Sequence, residues 1–300
     1  MEITFRQLEY FLALAETENF GRAADQCFVT QPAMSSQIAL LEKSLGVQLV
    51  ERGRKTMLTP AGEIVAERAR RILAEVRELQ DGAASFRGPL VGRVRLGALP
   101  SVSPYVLPRA LPRIRERYAD LQLVLREAPA RELTQALHAG ELDLLLLALG
   151  EDFGPVDEME LGDDRFLLLA PSGHPLLVKK GIKQADLMDY DTLLSEDGAG
   201  LLPPIAESCL ARSGADFDDF RAASIRTLVG MVASRQGITL VPEIAAETEV
   251  PDGLGLELVR FEPPEPMRRL GLLWRRGATR AKEFRLLGQV IAKCLTDGAP

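Results

Sequence analysis

Along the first fifty residues the apolar positions fall at helical spacing. Phe5, Leu8, Phe11, Leu12 and Ala15 make one stripe, and Phe20, Ala23, Ala24 and Cys27 make a second, shorter one. Met34, Ile38, Leu41 and Leu45 line one side of a third helix that Gly46 ends. Between the second and third lies Val29-Thr30-Gln31-Pro32. Thr30 suits an N-cap, and Pro32 is tolerated in a first helical turn because its missing N–H would be unpaired there anyway. The opposite side of the third helix carries Pro32, Ser35, Ser36, Ala39 and Lys43, a small and polar face. Short side chains at the N-terminal end let a helix backbone approach a DNA major groove, and Thr30, Gln31, Ser35, Ser36 and Gln37 supply groups for base edges and phosphates. The same spacing taken alone also fits an ordinary helical hairpin with a solvated face.

After Gly46 the period changes. VQLVERGRKTMLT reads as two short strands about a turn, a hairpin directly after the helix pair, and therefore a wing. Its tip carries Arg52, Arg54 and Lys55, suited to phosphates or a minor groove. Thr59-Pro60 then opens a long helix to about Arg87. Val65, Ala69, Ile72, Val76, Leu79, Ala83 and Phe86 repeat at four and three, a heptad kept over three periods with charged residues between. A helix docked on its own domain shows a wider stripe, so this narrow seam predicts a coiled coil with the same helix of a second copy. Gly88-Pro89-Leu90-Val91-Gly92 reads as a hinge. The expected boundaries are a DNA-binding part at 1–59, a dimerising linker helix at 60–88, a hinge at 89–92 and a larger part at 93–300.

From Arg93 strands alternate with helices, the mark of a parallel sheet with crossover helices. VRLGAL, LQLVLREA, LDLLLLAL, RFLLLAP, ITLVPE, LELVRF and MRRLGLLWRR read as strands; a closing helix runs from about Thr279 to Cys294. Two α/β lobes are expected, one of about 93–164 and 268–300 and the other of about 165–267, with a cleft at the carboxyl ends of the strands. Three loops face that cleft in this reading. Pro100, Ser101 and Val102 precede a helix, so their N–H groups and hydroxyl suit a small polar ligand or an anion. Ala148 and Leu149 end one strand, and Asp197, Gly198 and Gly200 follow another. Each loop is equally consistent with a capping turn.

Bulk properties narrow the function. With 300 residues, 46 % of them hydrophobic, the chain can bury two or three folding units. No run of 18 apolar residues is present, and MEITFRQLEYF reads as an amphipathic helix, not a targeting segment, so a cytoplasmic protein without a membrane partner is expected. The net charge is −7, and the first 88 residues hold eleven Lys/Arg against twelve Asp/Glu. The case for DNA is thus positional: Lys43, Arg52, Arg54 and Lys55 cluster beside the third helix. Three cysteines, at 27, 209 and 294, have no zinc-site spacing, and two histidines are too few for a metal cluster. No nucleophile–base–acid set and no phosphate loop is present, so neither an enzyme nor a cofactor is expected. A two-lobed part with a ligand cleft also fits a solute-binding protein, a reading opposed by the N-terminal 88 residues.

Residues 5–60, FRQLEYFLALAETENFGRAADQCFVTQPAMSSQIALLEKSLGVQLVERGRKTMLTPAG with its flanks, resemble the N-terminal domain of LysR-type transcriptional regulators. The runs QPA-SSQI, LE-LGV-L-ER and LT-AG carry the likeness, and the heptad helix and two-lobed C-terminal part extend it over essentially the whole chain. The resemblance implies a winged helix-turn-helix, a coiled-coil linker and a two-lobed, periplasmic-binding-protein-like effector domain. It also implies a homodimer or homotetramer on double-stranded operator DNA, an unknown small-molecule effector, and RNA polymerase as a partner if the protein activates. LPSVSPYVLPRALP, LLSEDG and IRTLVGMVASRQGITLVPE are similar to the peroxide-sensing OxyR subgroup. That subgroup keeps a His-Cys-x-Arg segment after the Glu-Asp-Gly turn, where this chain has Ala199, Gly200 and Leu202. Ala130 also replaces a hydroxyl residue, whereas Ser101 retains one. Cys209 matches the subgroup's resolving cysteine, and the resemblance leaves it as the one candidate for an unconventional thiol switch.

Overall fold

The computed structural model describes residues 3–51, 53, 56–84, 88–195, 221–222 and 224–296. The chain divides into two compact units, Met1–Ala84 with Ala136–Glu141, and Ser85–Gln135 with Leu142–Pro300.

The first unit holds α1 (Phe5–Thr17), α2 (Phe20–Gln26), α3 (Gln31–Leu45), a hairpin of β1 (Val50–Glu51) and β2 (Met57–Leu58), and α4 (Pro60–Ala84). Local chemistry starts each helix. The backbone N–H of Gln7 donates to Thr4 Oγ1, that of Arg22 to Asn19 Oδ1, that of Ala33 to Thr30 Oγ1 and that of Gly62 to Thr59 Oγ1. Each such cap is worth about 1 kcal/mol. Gly46 closes α3 at φ 71°, a left-handed conformation that glycine adopts without a Cβ penalty. Phe11, Leu14, Ala23, Ala24, Met34, Ile38, Leu41 and Leu49 form the core, joined by Ala66, Ala69 and Leu73 of α4. Phe5 is exposed, so the buried stripe of α1 begins one turn later than its apolar sequence pattern. The hairpin is pinned to α3: Glu42 Oε1 accepts from the N–H groups of Leu49 (2.8 Å) and Val50 (3.2 Å). Gly62 lies so close that a Cβ there would sit 2.1 Å from the Leu49 carbonyl oxygen.

The second unit is built on β3 (Gly92–Ala98), α5 (Ser103–Arg117), β4 (Leu121–Glu127), the part of α6 (Ala130–His138) before Ala136, β5 (Leu144–Leu149), β6 (Val156–Pro171), β7 (Thr192–Ser195), β8 (Arg221–Ala222), α7 (Ile225–Ala233), β9 (Ile238–Pro242), α8 (Glu243–Glu249), β10 (Leu256–Val259), β11 (Met267–Arg275) and α9 (Ala281–Thr296). The strand order is β4-β3-β5-β11-β6-β9-β7-β8, with β10 also on β6. β3 runs parallel to β4 and β5, and β7 runs parallel to β8 and β9. The expected parallel pairing is present, and β6 and β11 add antiparallel pairs to it. The physical cause is a return of the chain: β11 comes back between β5 and β6.

β6 makes the two lobes. Residues 156–165 of this 16-residue strand pair with β11, whereas 166–169 pair with β9 and 168–171 with β10. A register shift between Leu270 and Gly271, opposite Glu160–Gly162 with Gly162 at φ 154°, marks a bulge within the stretch paired with β11. β5 is buried through Leu144–Leu147, as its unbroken leucine run requires. Leu90, Val91 and Gly92 of the expected hinge at 89–92, with Arg93 after it, are hydrogen-bonded to Arg280, Glu283 and Asp120.

Candidate functional site

The reading face of α3 follows from its core face. With Met34, Ile38 and Leu41 fully buried, helical geometry turns Gln31, Pro32, Ser36, Ala39 and Lys43 to solvent, and leaves Ser35 and Gln37 at the margin. Thr30 spends an oxygen lone pair on the cap, at 3.4 Å from the Ala33 nitrogen, while its hydroxyl proton stays available to an acceptor. Gln37 Oε1 accepts from Nε2 of the buried Gln7 at 3.2 Å, which orients its amide. Sequence spacing does not reveal that link, since the two residues lie thirty positions apart. The turn before α3 is made by Phe28, at φ 56° and exposed. β1 and β2 confirm the wing as a hairpin; its cationic tip, Arg52, Arg54 and Lys55, lies outside the described residues.

The predicted seam on α4 is divided by the structure. Ala69 is fully buried in the unit's own core, so it is corrected from a partner contact to internal packing, while Val65 packs against that core and stays half-buried. Further along, Val76 is half-buried, Ala83 is exposed, and Ile72 and Leu79 are 42 % and 74 % exposed. The core side of α4 runs through Ala66, Ala69 and Leu73, so Ile72, about 100° round the helix from Leu73, faces solvent, and Leu79 lies beyond the last residue of that core. Phe86 lies outside the described residues.

In the second unit, Ser101 and Val102 are buried between β3 and α5. The N–H groups of Val102 and Ser103 both donate to the Leu99 carbonyl at 2.9 Å. This corrects the expectation that the Val102 N–H is free to hold an anion. Ser101 is instead gripped by Arg268 of β11: Nη1 donates to Ser101 Oγ at 2.8 Å and Nη2 to the Ser101 carbonyl at 2.9 Å. Arg268 Nε donates to Asp164 Oδ2 at 2.8 Å, and Asp164 Oδ1 accepts from the Ile244 N–H at 3.2 Å. The guanidinium also lies over the Phe166 ring, 5.5 Å from its centroid. Arg268 is 3 % exposed and Asp164 1 %. Burial holds the Asp164 carboxyl above its ordinary value, a tendency that Arg268 and the Ile244 N–H oppose.

One buried ion pair thus ties the Ser101 loop, β6, β11 and the start of α8 together. Tyr105 OH donates to Glu249 Oε1 at 3.1 Å, joining α5 to α8, and Arg226 Nε donates to Glu249 Oε2 at 3.1 Å. Burial, with Glu249 next to it, pushes the Tyr105 phenol up. Pro100, Ala148 and Leu149 are half-buried, and the Leu149 side chain covers Gly271, where a Cβ would meet it at 2.6 Å. Asp197, Gly198, Ala199, Gly200, Leu202 and Cys209 lie outside the described residues. Sequence reasoning misses Arg268 and Asp164, because a pair 104 residues apart leaves no local signal.

The N-terminal residues 5–63 match the bacterial regulatory helix-turn-helix protein, lysR family, and residues 87–294 match the LysR substrate binding domain. The chain belongs to the LysR family of transcriptional regulators. It is a LysR-type DNA-binding regulator with a C-terminal effector-binding domain, and it stands close to OxyR proteins. It is 39 % identical to a probable hydrogen peroxide-inducible genes activator of Streptomyces viridosporus, over 97 % of this chain and 94 % of that protein. It is 37 % identical to the DNA-binding transcriptional dual regulator OxyR of Escherichia coli (strain K12), over 96 % and 95 %. A full-length OxyR mutant from Pseudomonas aeruginosa shares the fold with a TM-score of 0.76 at 28 % identity, over 98 % of this chain and 99 % of that one. An H2O2-bound OxyR mutant from Corynebacterium glutamicum aligns with a TM-score of 0.65 at 31 % identity, over 99 % and 94 %.

Among the described residues no helix is long and apolar enough to cross a membrane, and no group of His, Cys, Asp and Glu could hold a metal ion.

Proposed function

We propose that this LysR-family regulator reads operator DNA as a homodimer or homotetramer and answers a small effector held beside Ser101 without thiol chemistry. The observation that carries the reading is the division of labour on α3 and α4. α3 keeps a buried apolar side and a short polar one, and α4 leaves Ile72 and Leu79 in water although its own core is complete. In this reading Thr30, Gln31, Pro32, Ser35, Ser36, Gln37 and Lys43 meet the major groove, and Arg52, Arg54 and Lys55 meet the backbone or minor groove. Residues 60–88 pair the copies through Ile72, Val76, Leu79, Ala83 and Phe86. The effector lies among Pro100, Ser101, Ala148, Leu149, Asp197, Gly198 and Gly200, and acts by shifting a population of conformers. The protein is cytoplasmic, not an enzyme, needs no cofactor, and contacts RNA polymerase if it activates.

Leu79→Glu tests the pairing. A glutamate buried without a partner in an apolar seam costs several kcal/mol. The variant is expected to sediment at half the wild-type mass and to footprint one half-site instead of two, with an unchanged circular-dichroism spectrum. An unchanged mass and footprint would remove α4 from the interface.

A second reading, a peroxide regulator switched through Cys209, is favoured by the hydrogen peroxide-inducible activators among the relatives. Against it stand Ala199, Gly200 and Leu202 where a reactive segment would be. The two described thiols are no substitute. Burial, then Glu9 and Glu16, pushes the Cys27 thiol up, and the buried Cys294 Sγ donates to the Val290 carbonyl. A sensor thiol needs the reverse, an exposed group with a lowered pKa. Mass spectrometry after stoichiometric peroxide is expected to find no sulfenate or mixed disulfide at Cys209. Its appearance would reinstate the thiol reading.

A further inference from the structure

The structure assigns a positioning role to Arg280 and Glu283: together they lock Leu90, Val91 and Arg93 to the start of α9, so that this stretch belongs to the rigid body of the regulatory unit and is not itself a hinge. The composition of Gly88-Pro89-Leu90-Val91-Gly92 argues for freedom throughout that stretch. The bonds made by its second half argue otherwise. The Leu90 N–H donates to Glu283 Oε2 at 3.0 Å. Arg280 Nη2 donates to the Val91 carbonyl at 3.1 Å, and Nη1 to the Arg93 carbonyl at 2.8 Å. Arg280 Nε and Nη2 also reach Glu283 Oε2, at 3.0 and 2.8 Å. The Gly92 N–H donates to the Asp120 carbonyl at 3.0 Å. Arg280 and Glu283 are themselves buried at the start of α9.

Leu90 gives the second, independent observation. It is fully buried and sits at φ 57°, a left-handed conformation that a leucine adopts only when its surroundings over-determine it. A hinge needs residues that change φ and ψ freely. Here the Leu90 N–H and the Val91 and Arg93 carbonyls are all held by one ion pair, and the strained residue among them is fully buried. Such a joint moves as one body with α9 and β3.

The test uses the full-length protein on a duplex it selects from a random pool. Hydrogen exchange in the peptide covering 88–94 is expected to show protected amides at Leu90 and Gly92 in the wild type. In Glu283→Leu the protection at Leu90 falls roughly tenfold or more, as loss of a bond to a charged acceptor implies. Affinity for a single half-site stays as in the wild type, while the DNA bend and the span of the two-half-site footprint become variable. Glu283→Gln, which keeps an acceptor for the Leu90 N–H and loses the charge facing Arg280, should fall between the two and serves where the leucine variant does not fold. Leu90 and Gly92 amides that exchange in the wild type as fast as an exposed loop would overturn the inference. So would a folded Glu283 variant with faster exchange but an unaltered bend and footprint.

Discussion

Ser36→Glu is expected to abolish specific operator binding, by roughly a hundredfold or more, because a carboxylate set against phosphates and base acceptors costs several kcal/mol. Ser36 is exposed on α3, opposite Met34, Ile38 and Leu41. Glutamate is a good helix former, so neither the helix nor the core has reason to yield. The melting temperature and sedimented mass should stay at wild-type values while the footprint disappears. Ser36→Ala separates loss of a donor from gain of a charge and is expected to lose far less. A glutamate variant that footprints the operator normally would show that another face of α3 meets the DNA.

The largest stability effect is expected at Arg268. Arg268→Met removes the partner of a buried carboxylate and should cost about 3–5 kcal/mol at neutral pH. The sign with pH follows from Asp164, whose folded-state value already lies above the ordinary one because of burial. Without the guanidinium it rises further. A raised carboxylate opposes folding in full above its folded value and ceases to do so as pH falls toward its unfolded value, roughly pH 4. The gap between variant and wild type should therefore narrow as pH is lowered from 7.5 to 5, measured by urea melts. Arg268→Met combined with Asp164→Leu removes the stranded charge and should recover most of the loss. A gap that widens at low pH, or a double variant as unstable as the single one, would mean that the pair does not hold the Ser101 loop in place.

Much of the DNA-binding half is legible in the order of its residues. Thr30 and Gly46 bracket α3 by chemistry that acts over three or four residues, and Met34, Ile38 and Leu41 mark its core side at helical spacing. The wing is legible because its strands are separated by a turn. In each case the partner groups lie within one element or its neighbour. The seam on α4 is half legible: the heptad is real, but the sequence does not reveal where a straight helix leaves its own core, so the repeat alone assigns Ala69 to the wrong partner.

The regulatory half divides the same way. By itself the sequence determined the elements, the alternation of strands and helices, the buried β5 and the small polar face of α3, since each depends on the order of apolar and polar residues over one or two turns. Only the tertiary structure decided that β6 and β11 run antiparallel, that Arg268 and Asp164 meet around Ser101, and that Glu283 closes on Leu90. Those contacts join residues 104 and 193 positions apart. A charge buried so far along the chain from its partner is set by how strands stack, and nothing in its own neighbourhood records the match.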